Sequence, residues 1–138
     1  MYLLVAIVAW AVAQALKVVT HYVNTHQLDM RQLTTSGGMP SSHATLVVSL
    51  STAIAIKQGV NSPFFAISAI FAAIVMYDAA GVRRAAGRQA QVLNRILDDI
   101  LHQHGLQEER LRELIGHTPV QVLVGALLGL TIALLMVH

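Results

Sequence analysis

Hydrophobic residues gather into four long stretches of the chain, and polar residues gather in the connections between them. The stretches cover residues 2–23, 44–60, 63–80 and 118–137. A helix needs about 20 mostly apolar residues to cross a bilayer, with a usable range of roughly 17 to 25. All four stretches satisfy this length, and the hydroxyl groups in the second are expected to face neighbouring helices. The pattern predicts an all-α, polytopic membrane helix bundle with about four transmembrane helices.

The connection between the third and fourth stretches has a different periodicity. Within residues 89–115, apolar residues recur at helical spacing with charged residues between them. The apolar positions are Val92, Leu93, Ile96, Leu97, Ile100 and Leu101. This spacing predicts an amphipathic interfacial helix that lies on the membrane or on the bundle. We expect residues 1–138 to form a single membrane domain.

The composition also favours lipid as the solvent. Hydrophobic residues make up 55% of the 138 residues and charged residues 12%, whereas soluble domains carry about 25% charge. The formal net charge is only +2, and no basic run interleaves with aromatic residues, so nucleic acid is not an expected partner. The chain has no cysteine, which excludes disulfides and thiolate metal sites. The histidines show no metal-binding spacing, and we expect no metal and no cofactor.

The first stretch has a second interpretation as a signal peptide, because Ala11 to Ala13 resembles a cleavage site. A signal peptide normally opens with positive charge. No basic residue precedes Lys17 here, and apolar character continues to Val23. We therefore expect a retained helix of an integral membrane protein.

Four crossings determine which polar segments share a side of the membrane. The first and third connections lie on one side, and the termini lie on the other side with the second connection. The first side, called the motif face below, gathers the starts of the second and fourth helices and the end of the third. It holds seven of the nine Lys and Arg residues, so the positive-inside rule predicts a cytoplasmic motif face. Arginines retained for chemistry would bias this count in the same direction.

A polar segment before the second stretch carries the first chemical motif. It contains Gly37, Gly38, Met39, Pro40, Ser41, Ser42 and His43. Glycines let the backbone approach a ligand closely, and the first amides of a helix lack partners and favour anions. Two hydroxyls and an imidazole add donors and an acid. The motif indicates an anion site, with an ordinary serine cap as the alternative interpretation.

The second motif places an acid before a group of arginines. It contains Asp78, Gly81, Arg83, Arg84, Gly87 and Arg88. Arg84 and Arg88 are four residues apart and share a helix face, and guanidinium groups bind phosphate in a bidentate fork. Asp78 at the end of an apolar span is costly unless paired, most simply with one of these arginines. A basic patch facing lipid headgroups is the alternative.

The third motif is His117, just before the last stretch. A histidine beside a membrane helix can act as nucleophile or base near neutral pH; a capping or interfacial histidine is the alternative. Gly125 and Gly129 form a GxxxG pair, which predicts close helix packing. In the first stretch, Gln14 and Lys17 are polar, and a buried lysine is a functional candidate unless its side chain snorkels to the interface.

Together these motifs resemble the type 2 phosphatidic acid phosphatase superfamily, in its divergent membrane branch related to acid phosphatases and vanadium-dependent haloperoxidases. Residues 40–43 are similar to the superfamily's PSGH motif, with Ser42 in place of the glycine. Residues 117–126 are similar to the end of its third motif, His-x-Pro-x-Asp-Val-x-x-Gly-Ala. The resemblance extends over nearly the whole chain.

The resemblance implies a metal-independent phosphatase in a bacterial plasma membrane that acts on an amphiphilic lipid or isoprenoid phosphate. His117 would attack phosphorus to form a phosphohistidine, and His43 would protonate the leaving alcohol. The phosphate oxygens would be held by Lys17, Ser41, Ser42, Arg83, Arg84 and Arg88, with support from Gln14, Gly38, Asp78 and Gln121. Such a mechanism relies on positioning and charge stabilisation.

Two further hypotheses remain. Gln121 stands where the superfamily has the acid that orients its histidine, which favours a non-catalytic protein that binds lipid phosphate or a protein partner. Asp78 and Gly81 also resemble a fragment of a CDP-alcohol phosphotransferase motif, but Asp98 and Asp99 do not supply its further aspartates. Helix faces with small residues leave a homo-oligomer open.

Overall fold

The predicted all-α fold is confirmed in a computed structural model of the chain. The structure describes residues 1–28, 30, 38–104 and 117–137, without the side chains of residues 82–84 and 97–104. Within these ranges the chain forms five α-helices and no strand. They are α1 (Tyr2–Thr25), α2 (Ser42–Gln58), α3 (Pro63–Ala80), α4 (Val82–His104) and α5 (Pro119–Met136).

Local chemistry explains where three of the helices begin. Ser41, Ser62 and Thr118 are the N-caps of α2, α3 and α5, and each side-chain oxygen accepts a backbone N–H from the first turn. Such caps satisfy donors that the helix itself leaves unpaired. Pro63 and Pro119 occupy the first helical position, where a missing N–H costs nothing. The four apolar stretches accordingly match α1, α2, α3 and α5 to within two residues at each end.

Three described segments are long and apolar enough to cross a membrane. They are Tyr2–Thr25, Pro63–Ile96 and Pro119–Met136. α2, with 17 residues, extends about 25 Å at 1.5 Å per residue and is less apolar. It nevertheless packs against α1, α3 and α5, and its serines Ser42, Ser49 and Ser51 are buried. α2 is thus the inner helix of the bundle, and its hydroxyl groups face other helices as predicted.

Two buried clusters mark the two ends of the bundle, and α2 and α5 contribute to both. At one end, the start of α2, the end of α3 and the start of α5 meet through Ala44, Ala79 and Val122. At the opposite end, α1, α2 and α5 meet through Val5, Ala53, Ala133 and Val137. The first end is the motif face, and its composition agrees with the crossing pattern that the sequence predicts.

α4 begins earlier than the predicted amphipathic region. The prediction started at residue 89, whereas α4 starts at Val82 and is separated from α3 by Gly81 alone. Gly81 has right-handed helical backbone angles, so the helical path resumes after a single residue. Among the described helices, α4 packs only on α3. Residues 105–115 of the predicted region lie outside the described residues.

The closest helix contact joins α5 to α2. A Cβ atom on Gly125 would overlap the carbonyl oxygen of Ser41, and one on Gly129 would overlap that of Thr45. The Thr45 hydroxyl lies 2.9 Å from the carbonyl oxygens of both Ser41 and Gly125 and donates to them. The predicted role of the glycine pair in helix packing is therefore met inside this chain, against α2. A homo-oligomer remains a prediction.

Candidate functional site

The two candidate histidines lie next to each other at the motif face. His43 is in the first turn of α2, and His117 precedes α5 by two residues. Their ring centroids are 6.2 Å apart, with the ring planes inclined at 65°. His117 is only 1% exposed, and its Nε2 atom is buried without a hydrogen-bond partner among the described residues. The structure thus places one buried imidazole nitrogen beside a second imidazole.

Gln121 determines the orientation of His117. The Oε1 atom of Gln121 accepts the Thr118 backbone N–H at 3.0 Å, and the Thr118 hydroxyl oxygen accepts the Gln121 backbone N–H at 3.3 Å. This reciprocal capping box fixes which end of the amide is oxygen. The same Oε1 lies 3.4 Å from His117 Nδ1. An acceptor at that position favours the tautomer that carries its proton on Nδ1, which leaves the lone pair on Nε2.

Burial lowers the pKa of the His117 imidazole from 6.5 to about 4. The charge of Lys17 and, less strongly, that of His43 act in the same direction, whereas the Gln121 side chain and the Gly38 backbone raise the pKa. Desolvation has this sign because it penalises the charged imidazolium. His117 is therefore neutral at pH 7, which is the form that a nucleophile or base requires.

Lys17 enters the site from α1. Its side chain is 1% exposed, and Nζ donates a hydrogen bond to the Ser42 hydroxyl at 3.0 Å. Of the two interpretations that the sequence left open, the structure shows a lysine directed into the bundle and not toward the interface. Because Lys17 is a charge that also acts on His117, α1, α2 and the residue before α5 contribute to one polar cluster.

The segment from Gly38 to Pro40 lies against this cluster. Gly38 has φ = +91°, a left-handed conformation that glycine adopts without strain. An added Cβ atom there would be 3.8 Å from the aliphatic stem of Lys17. The Thr20 hydroxyl donates to the Met39 carbonyl at 2.6 Å, which ties the segment to α1. Gly38, which was predicted as a supporting residue of the site, thus adjoins Lys17.

Ser41 makes contacts that hold helices together. Its amide donates to the Gln121 carbonyl at 3.1 Å, and its side-chain oxygen accepts the Ala44 N–H at 3.4 Å. Ser41 is 0% exposed. These contacts position the start of α2 against α5, and a direct role for Ser41 in phosphate binding stays a prediction.

The remaining predicted residues lie at different distances from the cluster. Gln14 is 8% exposed and precedes Lys17 by three residues on α1, so both share the buried face. Asp78 is half-buried in the last turn of α3. Arg88 is exposed on α4, which packs only on α3 among the described helices. The side chains of Arg83 and Arg84 lie outside the described residues, and the part of all three arginines in the site remains a prediction.

Three threonines contribute to the site without having been predicted to do so. Thr20 holds Met39, Thr45 bridges α2 to α5, and Thr118 caps α5 and anchors Gln121. The last role had a sequence signal, because Thr118-x-x-Gln121 is the capping-box pattern. Thr20 and Thr45 had none, since their partners are backbone carbonyls of segments that are distant along the chain.

The cluster has the chemistry of an oxyanion site. It combines the Lys17 ammonium, the Ser42 hydroxyl, the His43 imidazole and the neutral His117 imidazole at the start of a membrane helix. Helix N-termini favour anions because their first N–H groups point outward and the helix dipole is positive there. Among the described residues, no group of three or more His, Cys, Asp or Glu side chains could hold a metal ion.

Comparisons with known proteins agree with this arrangement at the level of the family. The chain is 39% identical over 147 aligned positions to the uncharacterized membrane protein YuiD of Bacillus subtilis (strain 168). That alignment covers 99% of this chain and 93% of the relative. No solved structure matches the chain. The sequence profile described as "Divergent PAP2 family" matches residues 1–132, and with nearly the whole chain covered, the protein belongs to that family.

Proposed function

We propose that the protein is a metal-independent membrane phosphatase that hydrolyses a lipid or isoprenoid phosphate, either a monoester or a pyrophosphate. The observation that carries this proposal is the pairing of His43 and His117, with ring centroids 6.2 Å apart, beside the buried Lys17. A nucleophile, a proton donor and a cation for the phosphate oxygens are the parts that phosphoryl transfer to an imidazole needs. Membership of the Divergent PAP2 family supports the same class of chemistry.

In the first step, Nε2 of His117 attacks phosphorus. A nitrogen–phosphorus bond forms while the bond from phosphorus to the leaving oxygen breaks; that oxygen belongs to the alcohol of a monoester, or to the lipid monophosphate of a pyrophosphate. The imidazolium of His43 gives its proton to the leaving alcohol, so the alcohol departs neutral. In the second step, water attacks phosphorus and gives a proton back to His43. The new oxygen–phosphorus bond replaces the nitrogen–phosphorus bond, which releases inorganic phosphate and restores both histidines.

Gln121 supports the first state of His117, the neutral ring, better than the phosphorylated ring. Its neutral oxygen selects the reactive tautomer of His117 but stabilises the phosphorylated, positively charged ring less than a carboxylate would. Transition-state stabilisation then depends more heavily on the groups that bind the phosphate oxygens. Lys17 and Ser42 are two of them, and the arginines of the 83–88 group are the proposed others. A single well-placed donor of this type contributes about 10²–10³-fold to a rate.

An amphiphilic substrate suits the location of the site. The cluster lies where α1, α2 and α5 meet at one end of a membrane bundle. A phosphate at that level is close to the depth of lipid headgroups, while the alcohol portion can remain in the bilayer. A water-soluble phosphate would gain nothing from such a position.

Gln121 also favours one alternative, a non-catalytic protein that binds the phosphate of a lipid or a protein partner. The same donors would bind the anion, and the absence of a carboxylate at residue 121 would slow or prevent turnover. The two functions share a pocket and differ in chemistry alone, so an assay of phosphate release separates them.

We expect His117→Ala to abolish phosphate release from a long-chain alkyl phosphate or isoprenyl phosphate by purified protein. The expected loss is on the order of 10³-fold or more, because no other group replaces the nucleophile. His21→Ala is the matched control, since His21 is also a histidine near the motif face, and it should retain activity within about twofold. Orthovanadate, which resembles transferring phosphate, should bind to the wild type and bind more weakly to Lys17→Met.

The result that contradicts catalysis is also defined. Equal phosphate release by the wild type and His117→Ala would remove His117 as nucleophile. No release by the wild type, together with vanadate binding that Lys17→Met weakens, would establish the non-catalytic alternative.

A further inference from the structure

α2 is incompletely enclosed by the helices around it. It packs against α1, α3 and α5, and α5 touches both α1 and α3. The described helices α1 and α3 do not approach each other. Among the described helices, the flank of α2 between α1 and α3 is therefore left open.

The residues on that open side form a stripe that starts at His43. Thr45 and Ser49 face α5 through its glycines, Ser42 contacts Lys17 of α1, and Ser51 contacts Ser68 of α3. In a helix with 3.6 residues per turn, the flank between the positions that face α1 and those that face α3 carries His43, Leu46, Leu50 and Ile54. All four are half-buried. By contrast, Ile67 on α3 and Leu127 on α5 face outward and are 68% and 61% exposed. The stripe is thus the recessed floor of a furrow between α1 and α3.

A second gap along α2 does not lead to the histidines. It lies between α3 and α5, where Val48 and Thr52 are half-buried. At the motif face this gap is closed by the packed cluster of Ala44, Ala79 and Val122. Only the furrow with His43 at its head, among the two gaps of the described bundle, joins the polar site to the hydrocarbon interior.

We propose that this furrow, with its floor of Leu46, Leu50 and Ile54, holds the hydrocarbon chain of the substrate's leaving alcohol. The inference rests on the proposed function, in which His43 protonates the oxygen of that alcohol. The group attached to that oxygen must leave the site past His43, and the furrow begins there. A substrate with its phosphate near Lys17 and one apolar chain along α2 satisfies both conditions.

The furrow orients the chain more than it attracts it. From His43 to Ile54 it extends about 16 Å, roughly half the hydrocarbon thickness of a bilayer. Lipid tails are as apolar as leucine side chains, so moving a chain from bilayer to furrow gains little hydrophobic free energy. The expected benefit is that the phosphate of a correctly seated chain is held against His117.

Photo-crosslinking tests the position of the chain without requiring turnover. The probe is a single-chain alkyl phosphate with a diazirine in the middle of the chain, applied to the full-length protein in nanodiscs. We expect labelling of residues 46–54 on α2 that excess alkyl phosphate competes away and the corresponding alcohol does not. Labelling should fall about tenfold in Lys17→Met, because the phosphate anchor is lost.

A pair of tryptophan variants tests the furrow through activity. Leu50→Trp fills the furrow, and Val48→Trp, two residues away on the same helix and also half-buried, fills the gap that is closed from the site. We expect Leu50→Trp to lower kcat/KM for the alkyl phosphate by about tenfold or more. Release from a short, soluble phosphate monoester should change by less than about twofold, and Val48→Trp should leave both substrates unaffected.

The outcomes separate failure of the furrow from failure of the proposed function. Equal labelling of α2 and the outward faces of α3 and α5, or labelling that alkyl phosphate does not compete, overturns the furrow even if phosphate is released. Equal losses in the two tryptophan variants do the same. Competed labelling of residues 46–54 in a protein that releases no phosphate supports the furrow and overturns catalysis.

Discussion

At the scale of single residues, the protein combines a buried imidazole with a neutral partner. His117 is oriented by an amide oxygen of Gln121 that also caps α5. The two roles are coupled, because the same oxygen accepts the Thr118 N–H and lies 3.4 Å from His117 Nδ1. A side chain at residue 121 therefore affects the helix start and the proposed nucleophile together.

Replacing Gln121 by leucine should lower phosphate release strongly and the free energy of unfolding only slightly. Loss of the acceptor leaves the His117 tautomer unfixed, and we expect phosphate release to fall by about 10²–10⁴-fold. The lost cap costs only about 1 kcal/mol of unfolding free energy. Gln121→Glu is the matched variant, because it keeps the acceptor; it should retain the cap and raise the pKa of His117. Equal losses of activity in both variants would contradict the role of the acceptor at residue 121 in orienting His117.

His117 should titrate far below an ordinary histidine. Its pKa is lowered to about 4, chiefly by burial. Between pH 4 and pH 6.5, the folded state therefore binds fewer protons than the unfolded state. The resulting stability is fully present above pH 6.5 and is lost as the pH falls toward 4. NMR titration of the His117 ring, assigned by comparison with His117→Ala, measures the midpoint. A midpoint near 6.5 would show that the ring is hydrated.

At the scale of helices, the contact between α2 and α5 sets the spacing of the site. His43 is at the start of α2, and His117 adjoins the start of α5. Gly125 and Gly129 let the two backbones approach so closely that a Cβ atom on Gly125 would also lie 3.1 Å from that of Ser41. The distance between the histidines therefore depends on glycines that make no contact with either ring.

Gly125→Ala should weaken the bundle despite the better helix propensity of alanine. Propensity favours the change by about 1 kcal/mol, but the new methyl group meets the Ser41 carbonyl, a backbone atom that cannot rotate away. Overpacking of this kind costs about 1–3 kcal/mol, so we expect net destabilisation and a loss of phosphate release. Thermal unfolding in one detergent measures the first effect. Leu127→Ala, on the outward face of α5, is the control, and equal shifts in both variants would contradict the packing argument.

At the scale of the whole molecule, the arrangement depends on the least apolar of the four bundle helices. α2 carries the hydroxyl groups and packs against three neighbours. Its partners shield it from lipid over most of its surface, which explains how a short, serine-rich helix is accommodated in a membrane protein. α1, α3 and α5 pack around α2, and the polar cluster lies at one end of this bundle.

Cysteine labelling should show the motif residues on one side of the membrane. The chain has no cysteine, so single substitutions at the exposed residues Met39, Thr118 and Asn61 report their own accessibility. With a membrane-impermeant maleimide, we expect residues 39 and 118 to react from the cytoplasmic side and residue 61 from the opposite side. Reaction of residues 39 and 118 from opposite sides would contradict the shared site. Reaction of both from outside would reverse only the orientation.

The sequence predicted the bounds of the helices well, but it did not predict which helices and side chains pack against one another. The bounds of α1, α2, α3 and α5 followed from apolar length, because a bilayer imposes a fixed thickness on any crossing helix. The start of α4 at Val82 was missed, because the sequence does not show that a new helix begins directly after Gly81, whose backbone angles are helical. For Lys17, the sequence left burial and snorkelling equally open, and only the Ser42 contact decided between them.

Hydropathy along the chain was enough to predict which segments can enter a membrane and which polar residues lie at their ends. The tertiary structure alone decided that α2 lies innermost, that Lys17 reaches Ser42, and that α1 and α3 stay apart along the His43 stripe. The physical reason is that entry into a membrane depends on hydropathy, whereas lateral order depends on shape. Lipid and apolar side chains are nearly equivalent solvents, so small residues and interhelical hydrogen bonds select the neighbours.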